Sequence, residues 1–253
     1  MHVTVILPTY NERENIVAVL TKVRKAMPAA RIMVVDDGSP DGTADVAQSL
    51  ADEMGEIEVI RRFSKDGLGS AYRFAFDRIF TQSSSADGET VVENDVIVTM
   101  DSDLSHDPSV IPAMVRAISE GADAVIGSRY VAGGGTENWP IHRRLLSRWG
   151  NRYTAWILGV PVKDCTSGFR AYRLAALRTI RPETTTAEGY AFLTELVVRL
   201  GRQGYRIEET PIMFVDRTAG HSKMSRQIIM ESMTLVTRWG LSRRVSRLRR
   251  TPR

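Results

Sequence analysis

Val96-Ile97-Val98-Thr99-Met100-Asp101-Ser102-Asp103 is an apolar, β-branched run that stops on two carboxylates two positions apart. A run this short and this continuous reads as a strand buried on both faces, as in a parallel sheet. Three earlier segments repeat the pattern. Residues 3–7 run into Pro8, residues 32–35 end at Asp36-Asp37-Gly38-Ser39, and residues 57–61 form a third strand. Each strand is followed by a stripe of helical period: Ile16, Val19, Leu20 and Val23; Val46, Ala47, Leu50 and Met54; Ala71, Phe74, Ala75 and Ile79; and, after residues 96–100, Ile111, Met114, Val115 and Ile118. Asn11 is placed as the first helix's N-cap with Glu14 at the capping-box position, and Asp107 caps the fourth helix with Pro108 at its first position. Four strand-helix units in succession predict an α/β protein with a right-handed, mostly parallel sheet. Ligands of such a sheet sit at its carboxyl edge, where Pro8 to Glu12, Asp36-Asp37 and Asp101 to Asp103 all fall.

The second half is less regular. Residues 124–128 read as a fifth strand, Gly133-Gly134-Gly135 as a loop, and residues 141–158 as a helix carrying several basic residues. Residues 169–172 and 206–213 read as strands with a helix over 191–201 between them, and the polar run 82–94 as a surface loop. A last amphipathic segment, 228–239, places Ile229, Met233, Val236 and Trp239 on one side. It leads into Arg243, Arg244, Arg247, Arg249, Arg250 and Arg253.

The chain has 253 residues, 43% hydrophobic and 25% charged, with 19 Gly and 10 Pro, which excludes collagen-like, disordered and disulfide-framework classes. One domain accommodates this length. A lone Cys165 and the scattered His2, His106, His142 and His221 make no zinc-finger spacing. Met1 to Tyr10 reads as a strand rather than a signal peptide, and charges interrupt every apolar stretch before it reaches the roughly 20 residues of a membrane span. The cytoplasm is the expected compartment. From Ser222 onward there are nine Lys/Arg against one Asp/Glu, whereas the preceding body has 25 basic and 29 acidic residues. Such a tail suits anionic lipid, nucleic acid or an acidic partner.

Asp101 and Asp103 raise each other's pKa unless a cation joins them. Mg²⁺ and Mn²⁺ commonly bridge one or two carboxylates to substrate phosphates. From the spacing alone, two carboxylates that merely cap a turn are an equal reading. The first strand lacks G-x-G-x-x-G and the chain has no G-x-x-x-x-G-K-[ST], which counts against dinucleotide oxidoreductases and P-loop NTPases.

Pro8-Thr9-Tyr10-Asn11-Glu12, Val34-Val35-Asp36-Asp37-Gly38-Ser39, Lys65-Asp66-Gly67-Leu68-Gly69, Asp101-Ser102-Asp103 and Gly127-Ser128-Arg129-Tyr130 follow one another in the order that resembles inverting family 2 glycosyltransferases of the GT-A fold. The second half, with Asp164-Cys165-Thr166-Ser167-Gly168-Phe169-Arg170, Gly189-Tyr190, Glu195, Phe214-Val215-Asp216-Arg217, Gly220, Ser222 and Lys223, resembles the polyprenol-phosphate (dolichol-phosphate) mannose synthase branch of that family. The likeness covers residues 2 to about 240. It implies a GT-A catalytic domain over 1–223, followed over 224–253 by an amphipathic helix and basic tail that meets a membrane surface.

The resemblance implies transfer of mannose from GDP-mannose to a polyprenyl monophosphate, with inversion and with Mg²⁺ or Mn²⁺. Pro8, Tyr10, Glu12, Val35 and Asp37 are expected on the guanosine, and Asp101, Ser102 and Asp103 on the sugar and diphosphate. Asp103 is the expected metal ligand together with Ser105, which stands where relatives often have Gln. Arg129, Arg217 and Lys223 are expected to neutralise phosphate, and Arg143, Ser147 and Arg217 to grip the acceptor phosphate. Asp101, Asp103 and Arg129 are the expected catalytic residues. A base is not required, because an acceptor phosphate with second pKa about 6 is already ionised at neutral pH.

Cys165 reads as a packed side chain rather than a nucleophile. Trp139, Trp149, Trp156 and Trp239 read as core, with a membrane-facing belt as the alternative. The expected location is peripheral, on the cytoplasmic face of a membrane, with a separate membrane-anchoring protein as a partner. Nucleic acid is not expected, since aromatic and basic residues do not alternate as RNA readers require. A UDP-glucose-dependent polyprenyl-phosphate glucosyltransferase and a non-catalytic membrane scaffold are the competing readings.

Overall fold

Alternation along β1 (Val3–Thr9) sends Val3, Val5 and Leu7 to one side of the sheet and Ile6 to the other, so the strand is buried on both faces. The computed structural model describes residues 1–63, 66–82, 94–187, 189–216 and 233–241. β1 pairs in parallel with β2 (Arg31–Asp36) on one side and β4 (Val96–Thr99) on the other, and β3 (Ile57–Arg61) extends β2 in parallel. Beyond β4 comes β7 (Arg170–Arg173), antiparallel to both β4 and β5 (Ala124–Ser128), and β8 (Ile207–Pro211) closes the sheet parallel to β5. The order is β3-β2-β1-β4-β7-β5-β8.

Helices α1 (Arg13–Ala26), α2 (Thr43–Met54) and α4 (Ile111–Ser119) cover the Val5 face, where Ile16, Val19, Leu20, Ala47, Met114 and Ile118 pack on the strands. α3 (Leu68–Gln82) and α7 (Gly189–Arg202) cover the Ile6 face through Ala71, Tyr72, Phe76, Phe192 and Leu196. The short α6 (Leu174–Thr179) joins that layer. α5 (Ile141–Leu158) packs its C-terminal turns, through Ile157 and Leu158, against Ile126, Cys165 and Val197. Residues 233–241 are helical and join this third cluster through Val236; Tyr153 and Thr237 share a hydrogen bond of 2.8 Å. A Cβ on Gly240 would lie 2.6 Å from Ile157 Cγ1, so the two helices approach at a glycine contact.

The strand-helix alternation and the bounds expected for α5 agree with the structure. Two local expectations are corrected and one is borne out. Asn11 does not cap α1: its φ is +58°, its N–H donates to Ser39 Oγ, and Glu12 occupies the cap position. Asp107 is the cap expected of it, with Pro108 at the first position: it accepts from Ser109 N at 3.0 Å, on a 3₁₀ turn, Pro108–Val110, that leads into α4. The single strand expected over 206–213 breaks at buried Ile212 into β8 and β9 (Met213–Val215), and β9 pairs in parallel with β6 (Gly135–Glu137). Most of the polar run 82–94, Lys65, Arg217, Lys223, the segment 228–232 and the arginine-rich end lie outside the described residues.

The antiparallel β7 governs the site. Arg170 is its first residue and pairs with Thr99 of β4 and Ile126 of β5, so the preceding loop 164–169 arrives at the same edge where the parallel strands end.

Candidate active site

The β1 and β2 ends form one wall. Asp36 is buried and accepts from Thr9 Oγ1 (3.0 Å), Ser39 N (2.9 Å) and Ser39 Oγ (2.6 Å), which fixes the turn after β2. Gly38 completes that turn at φ +71°, and a Cβ there would meet Arg62 O at 3.2 Å. Asp37 then pairs with Arg62 at 2.8 Å; burial pushes its carboxyl above the ordinary value more than Arg62 lowers it. Arg62 also donates to Ser70 Oγ at 2.6 Å. Glu12 is held by its own N–H on Thr43 Oγ1 and by Asn15 Nδ2 on its carboxylate, both at 2.9 Å. Pro8 and Tyr10 are partly exposed at this edge. The Val35 side chain is fully buried in the cluster of Ile6 and Ala71, which leaves its backbone as the part that could meet a ligand.

The β4 end is the floor. Ser102 Oγ donates to Pro8 O at 2.8 Å, so this expected donor contact ties β4 to β1. Asp103 Oδ1 accepts from Ser105 N at 3.1 Å and from Ser105 Oγ at 2.5 Å. Ser105 is itself buried, with its carbonyl taking Val215 N. Its hydroxyl proton therefore orients Asp103, a different task from the direct metal ligation expected of it. Asp101 is the more open carboxylate. Its backbone N–H donates to His106 Nδ1 at 3.3 Å, and His106 is wedged between Phe169 and Phe214. Gly168 lies against it: a Cβ there would be 3.0 Å from Asp101 Oδ1.

Among the described residues no group of three or more His, Cys, Asp or Glu is placed to hold a metal ion. Two hard carboxylates at a sheet edge still fit a Mg²⁺ or Mn²⁺ ion that takes its remaining oxygens from a diphosphate and water. The donor set fits the group as a partner of the nucleotide rather than as a caged ion.

The β5 end is the third wall. Arg129 Nε and Nη2 each lie 2.7 Å from the Asp164 carboxylate, and Nη2 also reaches Thr166 Oγ1 at 2.9 Å. Burial alone would raise Asp164; Arg129 outweighs it and holds the carboxyl below the ordinary value. Arg129 thus arrives with its charge compensated, unlike the open phosphate ligand expected of it. Tyr130 OH donates to Ser147 Oγ at 2.6 Å, and Arg143 pairs with Asp216 at 2.9 Å while lying 4.1 Å from the Trp139 ring centroid. Arg143 and Ser147, four apart on α5, therefore face the β5 end together.

Sequence reading missed the supports. Arg170, an ordinary surface residue by type, is fully buried and donates to the carbonyls of Cys165, Ser167 and Leu193 at 2.6–2.7 Å, winding the 164–168 loop around itself. Asn151 holds Cys165 N at 2.8 Å and reaches Thr166, and Glu209 holds Asp164 N at 3.0 Å. The only signal was the recurrence of polar residues within the Asp164 to Arg170 segment.

Paired carboxylates at the carboxyl edge of a mostly parallel sheet, between an acidic wall at β1 and β2 and ion-paired arginines at the β5 end, are the arrangement of a nucleotide-sugar glycosyltransferase of the GT-A type. The sequence profile of "Glycosyl transferase family 2" matches residues 4–181. The chain belongs to that family. It is 42% identical over 253 residues to an undecaprenyl-phosphate mannosyltransferase of Micrococcus luteus, covering 98% of each chain. It is also 42% identical over 246 residues to a polyprenol monophosphomannose synthase of Mycolicibacterium smegmatis, covering 97% of this chain and 89% of that protein. Among solved structures, glucosyl-3-phosphoglycerate synthase of Mycobacterium tuberculosis in complex with Mn²⁺, UDP-glucose and phosphoglyceric acid superposes with a TM-score of 0.63 at 19% identity, covering 94% of this chain and 79% of that one. That likeness establishes the shared fold.

Proposed function

We propose that the protein transfers mannose from GDP-mannose to a polyprenyl monophosphate, giving inverted polyprenyl-phosphate mannose and GDP. The observation that carries the reading is the convergence of Asp101, Asp103 and the Arg129–Asp164 loop on one sheet edge, in a chain 42% identical over nearly its full length to two enzymes named for mannosyl transfer to polyprenyl phosphate. Glu12 and Asp37 supply acceptors at the nucleoside wall, which suits the N1–H and exocyclic amine donors of guanine. Mg²⁺ or Mn²⁺, when bound, would offset the diphosphate charge. Asp103 would hold it, with Ser105 orienting the carboxylate, and Asp101 would orient the donor. An acceptor phosphate oxygen attacks the anomeric carbon; that C–O bond forms as the bond to the diphosphate oxygen breaks, and no proton need be removed. Arg143 and Ser147 would receive the acceptor phosphate, assisted by Arg217, while Lys223 would face the diphosphate. Arg129 enters as the anchor of the 164–168 loop. A lipid acceptor places the reaction at a membrane surface, and a reduced, buried Cys165 suits the cytoplasmic side.

The test incubates purified protein with a short polyprenyl phosphate and either GDP-mannose or UDP-glucose, with and without chelator, and reads lipid products by mass. Chelator-sensitive hexose transfer from GDP-mannose alone is expected. Transfer from UDP-glucose alone overturns the donor assignment, and nucleotide binding without transfer to any lipid phosphate overturns the acceptor.

A further inference from the structure

Trp139 is buried, and its backbone is fixed from both chain directions. Asn138 before it takes φ +60°, a left-handed conformation that asparagine tolerates better than most residues. Pro140 after it restricts Trp139 to extended conformations. Pro140 is also the N-cap residue of α5, so Arg143 follows Trp139 by four positions and stands over its ring, with the guanidinium carbon 4.1 Å from the centroid. Arg129, arriving from the β5 end, brings its guanidinium carbon to 5.6 Å from the same ring. Phe214 of β9 packs on the indole at 5.4 Å and an interplanar angle of 69°, and lies 5.6 Å from the Arg129 guanidinium. Two cations from separate segments therefore share one buried aromatic ring.

Burial shows which property of the indole the fold uses. Its Nε1–H is buried with no hydrogen-bond partner among the described residues, a cost that a phenyl ring in the same place would not carry. What tryptophan adds over phenylalanine is the stronger attraction of its π face for a cation. An arginine held by its flat face keeps its in-plane N–H donors for hydrogen bonds. The two guanidiniums then differ in what those donors do. Arg129 commits its fork to buried Asp164, whereas Arg143 offers Nη1 to Asp216 at 2.9 Å in a pair whose side chains are each 31% exposed, open to an arriving anion. We propose that Trp139 is a positioning residue of the acceptor site: its π face keeps Arg143 in place, in register with Arg129, while the Arg143 guanidinium exchanges Asp216 for the acceptor phosphate. This role rests on the acceptor-phosphate reading of Arg143. Without the ring, an Arg143 released from Asp216 would regain the rotamer freedom of a long side chain, and the phosphate would have to bear the entropy of ordering it again.

The test grades the charge of the ring while nearly preserving its size. Full-length protein carrying mono-, di- or tetrafluorotryptophan at position 139 alone is compared with the unsubstituted protein in mannosyl transfer to a short polyprenyl phosphate. Fluorine withdraws electron density from the π face and weakens its hold on a cation. The expected result is an acceptor KM that rises stepwise with fluorine count, to roughly tenfold at the tetrafluoro ring, while nucleotide affinity and the urea midpoint stay level. Trp139→Phe should fall within that series and Trp139→Leu at or beyond its end. Should Trp139→Leu fail to fold, the fluorinated series decides. An acceptor KM that stays flat across the series overturns the positioning role. So does a rise matched by equal losses of nucleotide affinity or urea stability, which would mark a packing residue only. Absence of transfer to any polyprenyl phosphate by the unsubstituted protein overturns the reaction proposed above, and the phosphate role of Trp139 with it; transfer with a flat series overturns the Trp139 role and leaves the reaction standing.

Discussion

Arg129 and Asp164 lie 35 residues apart and close a two-pronged ion pair, with two 2.7 Å contacts and a third from the Arg129 backbone N–H at 3.1 Å. Both side chains are removed from water, so each charge depends on the other. Asp164→Asn keeps the shape and strands the guanidinium. The expected loss is about 3–5 kcal/mol of unfolding free energy in a urea titration. Arg129→Lys keeps the charge but loses the planar fork, and should lower turnover through a loosened 164–168 loop more than it alters nucleotide affinity. A variant with unchanged stability would show that the pair is not the anchor described above.

Asp164 and Asp37 respond to pH with opposite signs. Asp164 is held below the ordinary value of 3.8, so its contribution is present above that value and fades as the pH falls through the lower folded pKa. Asp37 is raised above 3.8, so the folded protein binds its proton first; its contribution declines as the pH rises from 3.8 through the higher folded pKa. Unfolding free energies measured across acid pH should therefore differ from those of Asp164→Asn by a term that increases with pH, and from those of Asp37→Asn by one that decreases. Parallel curves for the three proteins would remove both assignments.

Ser105 touches Asp103 through a hydroxyl and a backbone N–H, and only the first can be deleted by substitution. Ser105→Ala should cost about 1 kcal/mol of stability. It should also raise the divalent-cation concentration needed for half-maximal transfer roughly tenfold, the usual effect of removing a group that orients a metal-binding carboxylate. If the metal requirement does not move, Asp103 is oriented by the backbone alone.

Much of this site could be read from the sequence because parallel strands deliver the residues that follow them to one edge. Asp37, Asp101 and Asp103 needed only that rule. β7 itself was legible as a strand over 169–172, but its antiparallel insertion between β4 and β5 did not obey it. Arg-Ala-Tyr-Arg has no apolar run to mark it as an inner strand, and its two neighbours, β4 and β5, are remote in sequence. With it went the partners of Arg129, since no local spacing links residue 129 to residue 164. Asn11 looked like a helix cap because its type suits one, yet tertiary contact with Ser39 draws it into the left-handed region.

Cys165 adjoins the anchor but takes no chemical part. Its sulfur is buried, and that burial pushes the thiol up to about 12. Maleimide or disulfide reagents should leave the folded protein and its activity untouched, and label one thiol once urea opens the α5 and α7 packing. Labelling at the rate of a free thiol in native buffer would contradict the packing of that cluster.

Gly168 separates geometry from stability at the catalytic edge. It has no positive φ to defend, so Gly168→Ala strains no backbone; its Cβ would instead sit 3.0 Å from Asp101 Oδ1, the mobile end of a side chain. The carboxylate can rotate away, which spares the fold and displaces the group expected to orient the donor. Unfolding free energy should change by less than about 1 kcal/mol, while turnover falls roughly tenfold or more. Nucleotide affinity, which the proposed function assigns to the Glu12 and Asp37 wall, should change less than turnover. Normal turnover in this variant would mean that Asp101 acts from another position, and the role given to it would then have to pass to Asp103 alone.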